Sequence, residues 1–379
     1  MRKIYRRSKP KLFRSILVSL NIAIILAYLI ICLVPFIDTG ENSLLAFPGL
    51  VFPFIFLALV IFIIVWIFLR SKWWFISLIA LLLGIQQILA VFSFNLPKEF
   101  SYKRKPNTLR VLQWNVTSWD EATKKEYGGT SYRPFMLNLV KKANADVLCA
   151  EEFFEAKDTG YFKSNVLALK ELGFNFHFFV PLTTAQDDLP TGVAIFSKDP
   201  IIDTASFVYK LNYTGEHLLY ADIKVEGKIF RVFVTHLQPI YFDDFEYNLA
   251  KWTQSAKLSD RDYFHSLFAR FQSGFEYRYP QSELVNSKIE ESPYPAIICG
   301  DFNDVPNSNT YFTVKGNLQD AFLKAGSGFG RTIPYFSKML RIDYIFADRK
   351  FKVTQFHAEH VPYSNHYPLM TDLDYSNLK

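Results

Sequence analysis

Cysteine is scarce in this sequence, and the signature motifs of several enzyme classes are missing. Its 379 residues include three cysteines and contain neither a CxxC nor an HExxH pattern. The sequence therefore gives no support to the zinc sites that those patterns mark. It also lacks a glycine-rich nucleotide loop and the GxSxG turn that presents a serine nucleophile, so these two enzyme classes are unsupported as well.

The three cysteines lie in apolar surroundings. Cys32 falls within a long hydrophobic run, and Cys149 and Cys299 fall within short apolar segments typical of strands. An oxidising compartment would allow a disulfide between the last two. Burial of both as free thiols in core strands is the favoured interpretation.

Charged residues are absent from three long apolar runs near the N-terminus. These runs cover residues 16–37, 44–69 and 73–94. Each reaches the roughly 20 residues that a helix needs to cross a bilayer. A cleaved signal peptide would explain only the first run. Buried core helices are the other alternative, but three successive uncharged runs of this length are unusual in the core of a soluble domain. We predict a membrane anchor of three transmembrane helices over residues 1–95, a linker over 96–106 and a large domain over 107–379.

Basic residues predict the orientation of this anchor. Seven of them precede the first run, namely Arg2, Lys3, Arg6, Arg7, Lys9, Lys11 and Arg14. The loop between the first two runs carries Asp38 and Glu41 and no basic residue. Because Lys and Arg mark the cytoplasmic side, the N-terminus is predicted to be cytoplasmic. Three crossings of the plasma or inner membrane would then place the large domain in the periplasm or outside the cell.

The net charge of +6 is weak support for a nucleic-acid partner. The basic residues ahead of the first run account for it, so the large domain is close to neutral. A broad electrostatic footprint for nucleic acid is therefore not expected, while a local basic groove remains compatible with the sequence.

Many short apolar segments and few helical patterns make up the large domain. Strands are predicted at 109–116, 146–150, 174–180, 192–197, 218–225, 228–235, 296–299, 342–347, 351–357 and 370–373. Helices are predicted at 132–143 and, as one or two amphipathic helices, at 241–291. Glu226-Gly227 between two strands indicates a hairpin turn. We predict the α/β class: two sheets packed face to face with helices outside, a four-layer α/β/β/α sandwich.

Polar residues suited to metal or phosphate chemistry stand at the ends of several predicted strands. They are Asn115, Glu151, Glu152, His236, Asp301, Asn303 and Asp343, together with His366 in a loop before the last strand. Singly, each has a structural alternative as a turn former, a solvated carboxylate or a core histidine. Together they indicate one site, because layered sheets build their sites at strand ends. Oxygen ligands from Glu152 and Asn115 suit Mg²⁺, which leaves metal-assisted attack of water on a phosphate ester as the indicated chemistry.

These segments resemble the endonuclease/exonuclease/phosphatase superfamily, which includes deoxyribonucleases, abasic-site endonucleases, neutral sphingomyelinases and inositol polyphosphate 5-phosphatases. The resemblance covers about residues 107–377. It rests on QWNV, DVLCAEE, TGVAIFSK, THLQ, GDFND, RIDYIF and SNHYPL, which occur in the family's order. It implies a membrane-anchored phosphoester hydrolase, similar to a phosphodiesterase or a nuclease, that uses Mg²⁺ or Mn²⁺.

The resemblance also implies which residues bind the metal and the reacting groups. Glu152 would bind the metal, with Asn115 nearby. Asp301 would activate or position the attacking water, and Asn303 would orient the phosphate.

Two histidines complete the implied site. His236 and His366 would hold the phosphate oxygens, and His366 would also be a candidate general acid or base. Asp343 would orient His366 and favour its charged form. The family usually has Asp immediately before the last histidine, where this sequence has Asn365. This change removes one negative charge and would weaken a second metal site.

The substrate is left open between a nucleic acid and a phospholipid headgroup. The aromatic-rich segment 241–279 would contact a membrane, stack on bases or pack on the core. A catalytically weak or silent binding module on a membrane anchor is the alternative function. The bilayer is the expected partner of the anchor, and no protein partner is predicted.

Overall fold

The computed structural model describes residues 9–121, 130–156, 162–181, 190–209, 217–240, 261–335 and 337–378. The predicted helical pattern over 241–260 and the first basic residues of the chain lie outside these ranges. Residues 9–95 form an N-terminal helical unit, and the remainder forms two β-sheets with flanking helices.

The N-terminal helical unit contains one helix that is long and apolar enough to cross a membrane by itself. Its helices are α1 (Lys9–Ile31), α2 (Phe47–Leu50), α3 (Phe52–Phe68), α4 (Trp73–Leu83) and α5 (Ile85–Val91). The single candidate span among the described residues covers Leu12–Phe36. The first predicted run thus forms a helix of sufficient length and hydropathy to span a membrane, and the prediction of three single spanning helices is not supported for the second and third runs.

The second and third apolar runs form bent helix pairs instead. Ser43–Leu50 and Phe52–Phe68 meet at 50°, and α4 and α5 meet at 68°; each pair passes the length and hydropathy test only when it is taken as one span. The second bend falls at Gly84, where a Cβ atom would lie 2.2 Å from Tyr28 Oη. The missing side chain therefore allows the α4–α5 junction to approach α1.

Within the described residues, twelve strands form two sheets of six. The first sheet contains β1 (Thr108–Asn115), β2 (Val147–Phe154), β3 (Phe176–Pro181), β4 (Thr191–Ser197), β11 (Lys352–Ala358) and β12 (Leu369–Asp374), in the order β11-β12-β1-β2-β4-β3. The second contains β5 (Ile201–Val208), β6 (His217–Val225), β7 (Lys228–His236), β8 (Ala296–Asp301), β9 (Gln319–Asp320) and β10 (Asp343–Ala347), in the order β5-β6-β7-β8-β10-β9. Both sheets mix parallel and antiparallel pairs.

Alternating apolar residues create the layers of the domain. Val111 of β1 and Val232 of β7 belong to a cluster shared by the two sheets, whereas Leu112 packs with α6 (Arg133–Ala143) on the outer face of the first sheet. On the outer face of the second sheet, Phe233 packs with residues of α8 (Arg261–Glu290) and α9 (Asn309–Lys315). Because successive strand residues point to opposite faces, this pattern confirms the predicted two-sheet sandwich with outer helices. Two short helices, α7 (Asn165–Glu171) and α10 (Ala321–Ala325), complete the described helices of the domain.

Several local predictions are also confirmed. Glu226 and Gly227 have φ angles of 48° and 85° and join β6 to β7, as expected of a hairpin turn. The three cysteines are buried free thiols. Two strands, β5 and β9, were not predicted; β5 lies largely exposed at a sheet edge and is interrupted by the polar residues Asp203, Thr204 and Ser206.

The N-terminal helical unit contacts the domain through the ends of its helices. Asn307 Nδ2 donates to the carbonyl of Ile31, 3.1 Å away, at the C-terminal end of α1. Arg341 Nη2 donates to the carbonyl of Ala90, 2.7 Å away, in α5. Phe47 stacks on Phe268 of α8 with ring centroids 4.5 Å apart. These contacts place the domain at the end of α1 opposite to its N-terminus.

Candidate active site

The second sheet places three of the predicted site residues side by side. His236 ends β7 and lies opposite Asp301 in the parallel β7–β8 pair. Asp343 begins β10 and lies opposite Asp301 in the antiparallel β8–β10 pair. Because neighbouring strands lie about 4.8 Å apart, register alone brings these side chains within contact distance. All three residues are buried.

The first sheet supplies the other half of the site. Asn115 ends β1 and lies opposite Glu151 of β2. A bulge in β2 follows, between Ala150 and Phe153, and Glu152 within it has a φ of 47°. The irregular backbone separates the two glutamates: Glu151 is fully buried, and Glu152 is partly exposed and accepts a hydrogen bond from Asn115 Nδ2 at 3.0 Å.

Asp301 is the point where the two halves meet. Its Oδ1 accepts from the backbone N–H of Asn303 at 2.9 Å, and its Oδ2 accepts from Asn115 Nδ2 at 3.3 Å. The same Oδ2 lies 3.6 Å from Nε2 of His236 and 3.4 Å from Nε2 of His366. The pKa of Asp301 is raised to about 6, chiefly by burial. The charge of His366 lowers this pKa, and the charge of Asp343 raises it. The residue thus titrates close to neutral pH.

His366 and Asp343 form a buried pair. Nδ1 of His366 lies 3.0 Å from each carboxylate oxygen of Asp343. Burial opposes the charged imidazole, but Asp343 and Asp301 outweigh it and raise the pKa of His366 to about 9. At neutral pH the histidine is therefore an imidazolium whose Nε2–H faces Asp301. The loop that carries it is held on β1, because Trp114 Nε1 donates to the His366 carbonyl at 3.0 Å.

Gln113 and Glu151 belong to this site, although the sequence analysis gave neither a role. Gln113 Nε2 donates to Glu151 Oε2 at 2.8 Å and to Asp343 Oδ1 at 3.2 Å. Burial, followed by the charge of Asp343, raises the pKa of Glu151 well above its usual range. Gln113 stands two residues before Asn115 and thus on the same face of β1, a signal that could have identified it.

The two remaining asparagines have defined contacts. Asn303 Nδ2 donates to the carbonyl of Leu237 at 3.0 Å, which fixes the amide beside Asp301. Asn365 Oδ1 accepts hydrogen bonds from the hydroxyls of Thr117 and Ser364. Its oxygen therefore stabilises the loop before His366.

The oxygen donors in this site fit a hard divalent cation. Glu152 and Asp301 offer carboxylates on either side of the Asn115 amide. Asn115 presents its nitrogen to both, while its oxygen accepts from Thr117 N at 3.1 Å, so its predicted role as an oxygen ligand requires the amide to turn over. Asp301, Asp343 and His366 also have ligand atoms within 4.8 Å of one another. A protonated imidazole has no lone pair for a metal, so the Glu152 side of Asp301 is the better candidate.

Family models match two parts of the chain. Residues 132–366 match the model of the endonuclease/exonuclease/phosphatase family, and residues 14–91 match a domain of unknown function (DUF8431). No curated protein matches the chain.

Solved structures of low sequence identity are similar to about 70% of this chain. An endonuclease/exonuclease/phosphatase from Beutenbergia cavernae is similar with a TM-score of 0.50 and 20% identity, over 71% of this chain and 72% of that chain. The human Nocturnin catalytic domain with bound sulfate anion is similar with a TM-score of 0.49 and 20% identity, over 70% of this chain and 93% of that chain. An endonuclease/exonuclease/phosphatase family protein from Bacteroides thetaiotaomicron is similar with a TM-score of 0.48 and 19% identity, over 71% of this chain and 98% of that chain.

Proposed function

The chain belongs to the endonuclease/exonuclease/phosphatase family, and on that premise we propose that it is a metal-dependent phosphoester hydrolase, anchored in a membrane with its catalytic domain outside the cytoplasm. The observation that carries the hydrolase proposal is the position of Asp301. This buried carboxylate lies within 3.6 Å of two imidazole nitrogens and accepts an amide hydrogen bond from Asn115. Such a group suits the positioning of a water molecule and the removal of its proton.

The two histidines supply positive charge and hydrogen-bond donors on the other side of Asp301. His366, held as an imidazolium by Asp343, offers its Nε2–H to a phosphoryl oxygen or to the leaving oxygen. His236 is buried on the neighbouring strand and would contact a second phosphoryl oxygen. Asn303, fixed by Leu237, would orient the phosphate with its amide.

Glu152 and Asp301 would hold the divalent cation, with Asn115 as a third ligand once its amide turns. When bound, Mg²⁺ or Mn²⁺ supplies a Lewis acid that polarises the phosphoryl group and neutralises charge. Gln113 and Asp343 maintain the protonation and the orientation of His366 beside this position.

The contacts of the N-terminal helical unit support the proposed topology. Ile31 and Ala90, which contact the domain, lie near the C-terminal ends of α1 and α5. If α1 and each bent helix pair cross once, the domain and the basic N-terminus lie on opposite sides of the membrane. The excess of Lys and Arg before residue 16 favours a cytoplasmic N-terminal side.

A panel of phosphoesters tests the hydrolase proposal with the purified full chain in detergent. Duplex and single-stranded DNA, RNA, sphingomyelin and phosphoinositides would each be assayed with and without Mg²⁺. We expect hydrolysis of at least one, and a loss of about 100-fold or more in kcat for both Asp301→Ala and His366→Ala. Glu171→Ala and His177→Ala, which change exposed residues, are the matched controls.

Two results would contradict the proposal. Retained turnover in Asp301→Ala or in His366→Ala would contradict the catalytic role assigned to the substituted residue. No metal-dependent hydrolysis of any substrate class by the folded chain would favour the silent binding module.

A further inference from the structure

A polar cavity lies apart from the candidate active site, beside the segment that follows α5. It has a volume of about 500 Å³. Its polar lining side chains are Lys98, Ser327, Arg331, Lys338, His357 and His360, and apolar residues such as Phe322 and Phe356 line the rest. We call this space the linker cavity, because Pro97 and Lys98 of the predicted linker form one of its walls.

The linker cavity is strongly cationic. Lys98, Arg331 and Lys338 contribute three positive charges, and no aspartate or glutamate stands among its described lining residues. Within the described part of the chain, these three residues make no ion pair. The Glu359 carboxylate, between the lining residues Ala358 and His360 in the chain, is 2.9 Å from Nε2 of His357 and 3.5 Å from Nζ of Lys142. It is thus shared with a cation outside the cavity.

The Arg331 guanidinium is held in place by its own loop. Its Nε donates to the carbonyl of Ile333 at 2.7 Å, and its Nη2 donates to the carbonyl of Pro334. Neutral carbonyls orient the group without cancelling its charge. Burial, and then the charge of Arg331, lower the pKa of His360, so this imidazole is neutral at pH 7 and offers a hydrogen bond rather than a fourth charge.

The same walls are tied to the end of the N-terminal helical unit. The backbones of Ser93 and Gly328 exchange two hydrogen bonds of 2.8 and 2.9 Å. Asn95 Nδ2 donates to the carbonyls of Leu323 and Gly326 at 3.0 and 3.1 Å. The linker cavity therefore keeps a fixed position where the chain leaves α5. In the proposed topology this position lies at the non-cytoplasmic surface of the membrane.

We propose that the linker cavity binds a phosphate-bearing anion. A phosphate group carries up to two negative charges and several acceptor oxygens, and the cavity offers a fixed guanidinium, two ammonium groups and the Ser327 hydroxyl. Two sources share this chemistry: the headgroup of an anionic lipid in the adjacent leaflet, and the phosphate of a soluble molecule. The proposal uses no residue of the candidate active site, and its lipid source alone depends on the proposed membrane anchoring.

Inorganic phosphate is the first probe of this site. The full chain would be purified in dodecyl maltoside, a detergent without phosphate, and titrated by calorimetry in the presence of EDTA. Because His236 and His366 of the candidate active site also offer donors to phosphate, the linker-cavity variants, and not the total signal, assign the binding to the linker cavity. We expect binding of phosphate by the unaltered chain, and affinity weakened by at least about tenfold in Arg331→Gln/Lys338→Gln.

Two further variants separate binding from folding. Lys98→Gln/Lys338→Gln leaves the Arg331 loop contacts intact and should also weaken phosphate binding several-fold. Lys170→Gln, at an exposed lysine on α7, should bind like the unaltered chain. The thermal unfolding midpoint of each variant shows whether it is folded.

Mixed micelles containing phosphatidylglycerol then distinguish the sources. A lower apparent phosphate affinity in these micelles, seen for the unaltered chain and Lys170→Gln, supports the site and assigns it to a lipid headgroup. An unchanged affinity supports the site and assigns it to a soluble phosphate. Absence of phosphate binding in dodecyl maltoside, or binding that neither double variant weakens, overturns the proposal and leaves the hydrolase proposal untouched.

Discussion

Nδ1 of His366 lies 3.0 Å from both carboxylate oxygens of Asp343, and both residues are buried. The pair raises the pKa of His366 from 6.5 to about 9 in the folded chain. A group whose pKa is higher in the folded state binds its proton more tightly there, so protonation stabilises the fold. This contribution is complete below pH 6.5 and is lost as the pH rises through about 9.

The first prediction concerns the pH dependence of stability without metal. In EDTA, the thermal unfolding midpoint of the full chain should fall between pH 6.5 and pH 9, because in this window the folded chain keeps the His366 proton that the unfolded chain has released. His366→Gln removes the titrating group and should show a flatter profile over the same window. Parallel profiles for the two proteins would mean that the pair does not hold its proton as described.

The second prediction separates the charge of Asp343 from its shape. Asp343→Asn keeps the size of the side chain but removes the anion that holds His366 as an imidazolium, so the pKa of His366 should fall. We expect kcat at pH 8 to fall by about 100-fold or more, with part of the activity regained at lower pH where the imidazole is again protonated. The measurement is the pH–rate profile on the substrate found by the phosphoester panel. Asp374→Asn, at the end of β12, is the control and should leave the profile unchanged.

The third prediction concerns metal affinity. Glu152→Gln retains a hydrogen-bond acceptor for Asn115 but removes the charge that favours a divalent cation. The Mg²⁺ concentration that gives half of the maximal rate should therefore rise by at least about tenfold, while excess Mg²⁺ restores much of kcat. Glu171→Gln, at an exposed position of α7, should leave the metal requirement unchanged. An equal metal requirement in Glu152→Gln and the unaltered chain would exclude Glu152 as a ligand.

Much of the site could be predicted from the sequence because its residues stand at strand ends. Asp301 and His236 end adjacent strands, and Asp343 begins the next one, so correct strand assignment is enough to bring them together. The alternation of apolar residues likewise predicts which faces of the sheets are covered, and hence the layers. These features depend on local patterns and on the regular geometry of sheets.

Irregular backbone explains most of what the sequence did not predict. The bulge in β2 turns Glu151 into the interior and Glu152 toward Asn115. The family resemblance indicated Glu152 beside Asn115, but two adjacent identical residues carry no sign of this division in their own pattern. The bends within the second and third apolar runs depend on close packing, such as that of Gly84 against Tyr28. A hydropathy pattern reports the length of an apolar run but not the path of its helix.

The fourth prediction tests the link between the two carboxyl groups that Gln113 joins. Its amide donates to Glu151 and to Asp343, and each of these residues is buried. Gln113→Leu fills a similar volume but leaves both acceptors without this donor, which should lower the free energy of unfolding by about 1–3 kcal/mol. It should also lower kcat, because the Asp343 carboxylate loses a contact that fixes its orientation toward His366.

A matched glutamine shows whether that effect belongs to the site. Gln319 Nε2 also makes two hydrogen bonds, to the carbonyls of Asp348 and Phe351, but these lie at the β9 end of the sheet. Gln319→Leu should therefore lower the thermal unfolding midpoint while leaving kcat and the pH–rate profile unchanged. If Gln113→Leu lowers stability by a similar amount and also leaves kcat unchanged, Gln113 stabilises the fold without positioning Asp343, and the order of the site rests on the β8–β10 register and the His366 pair alone.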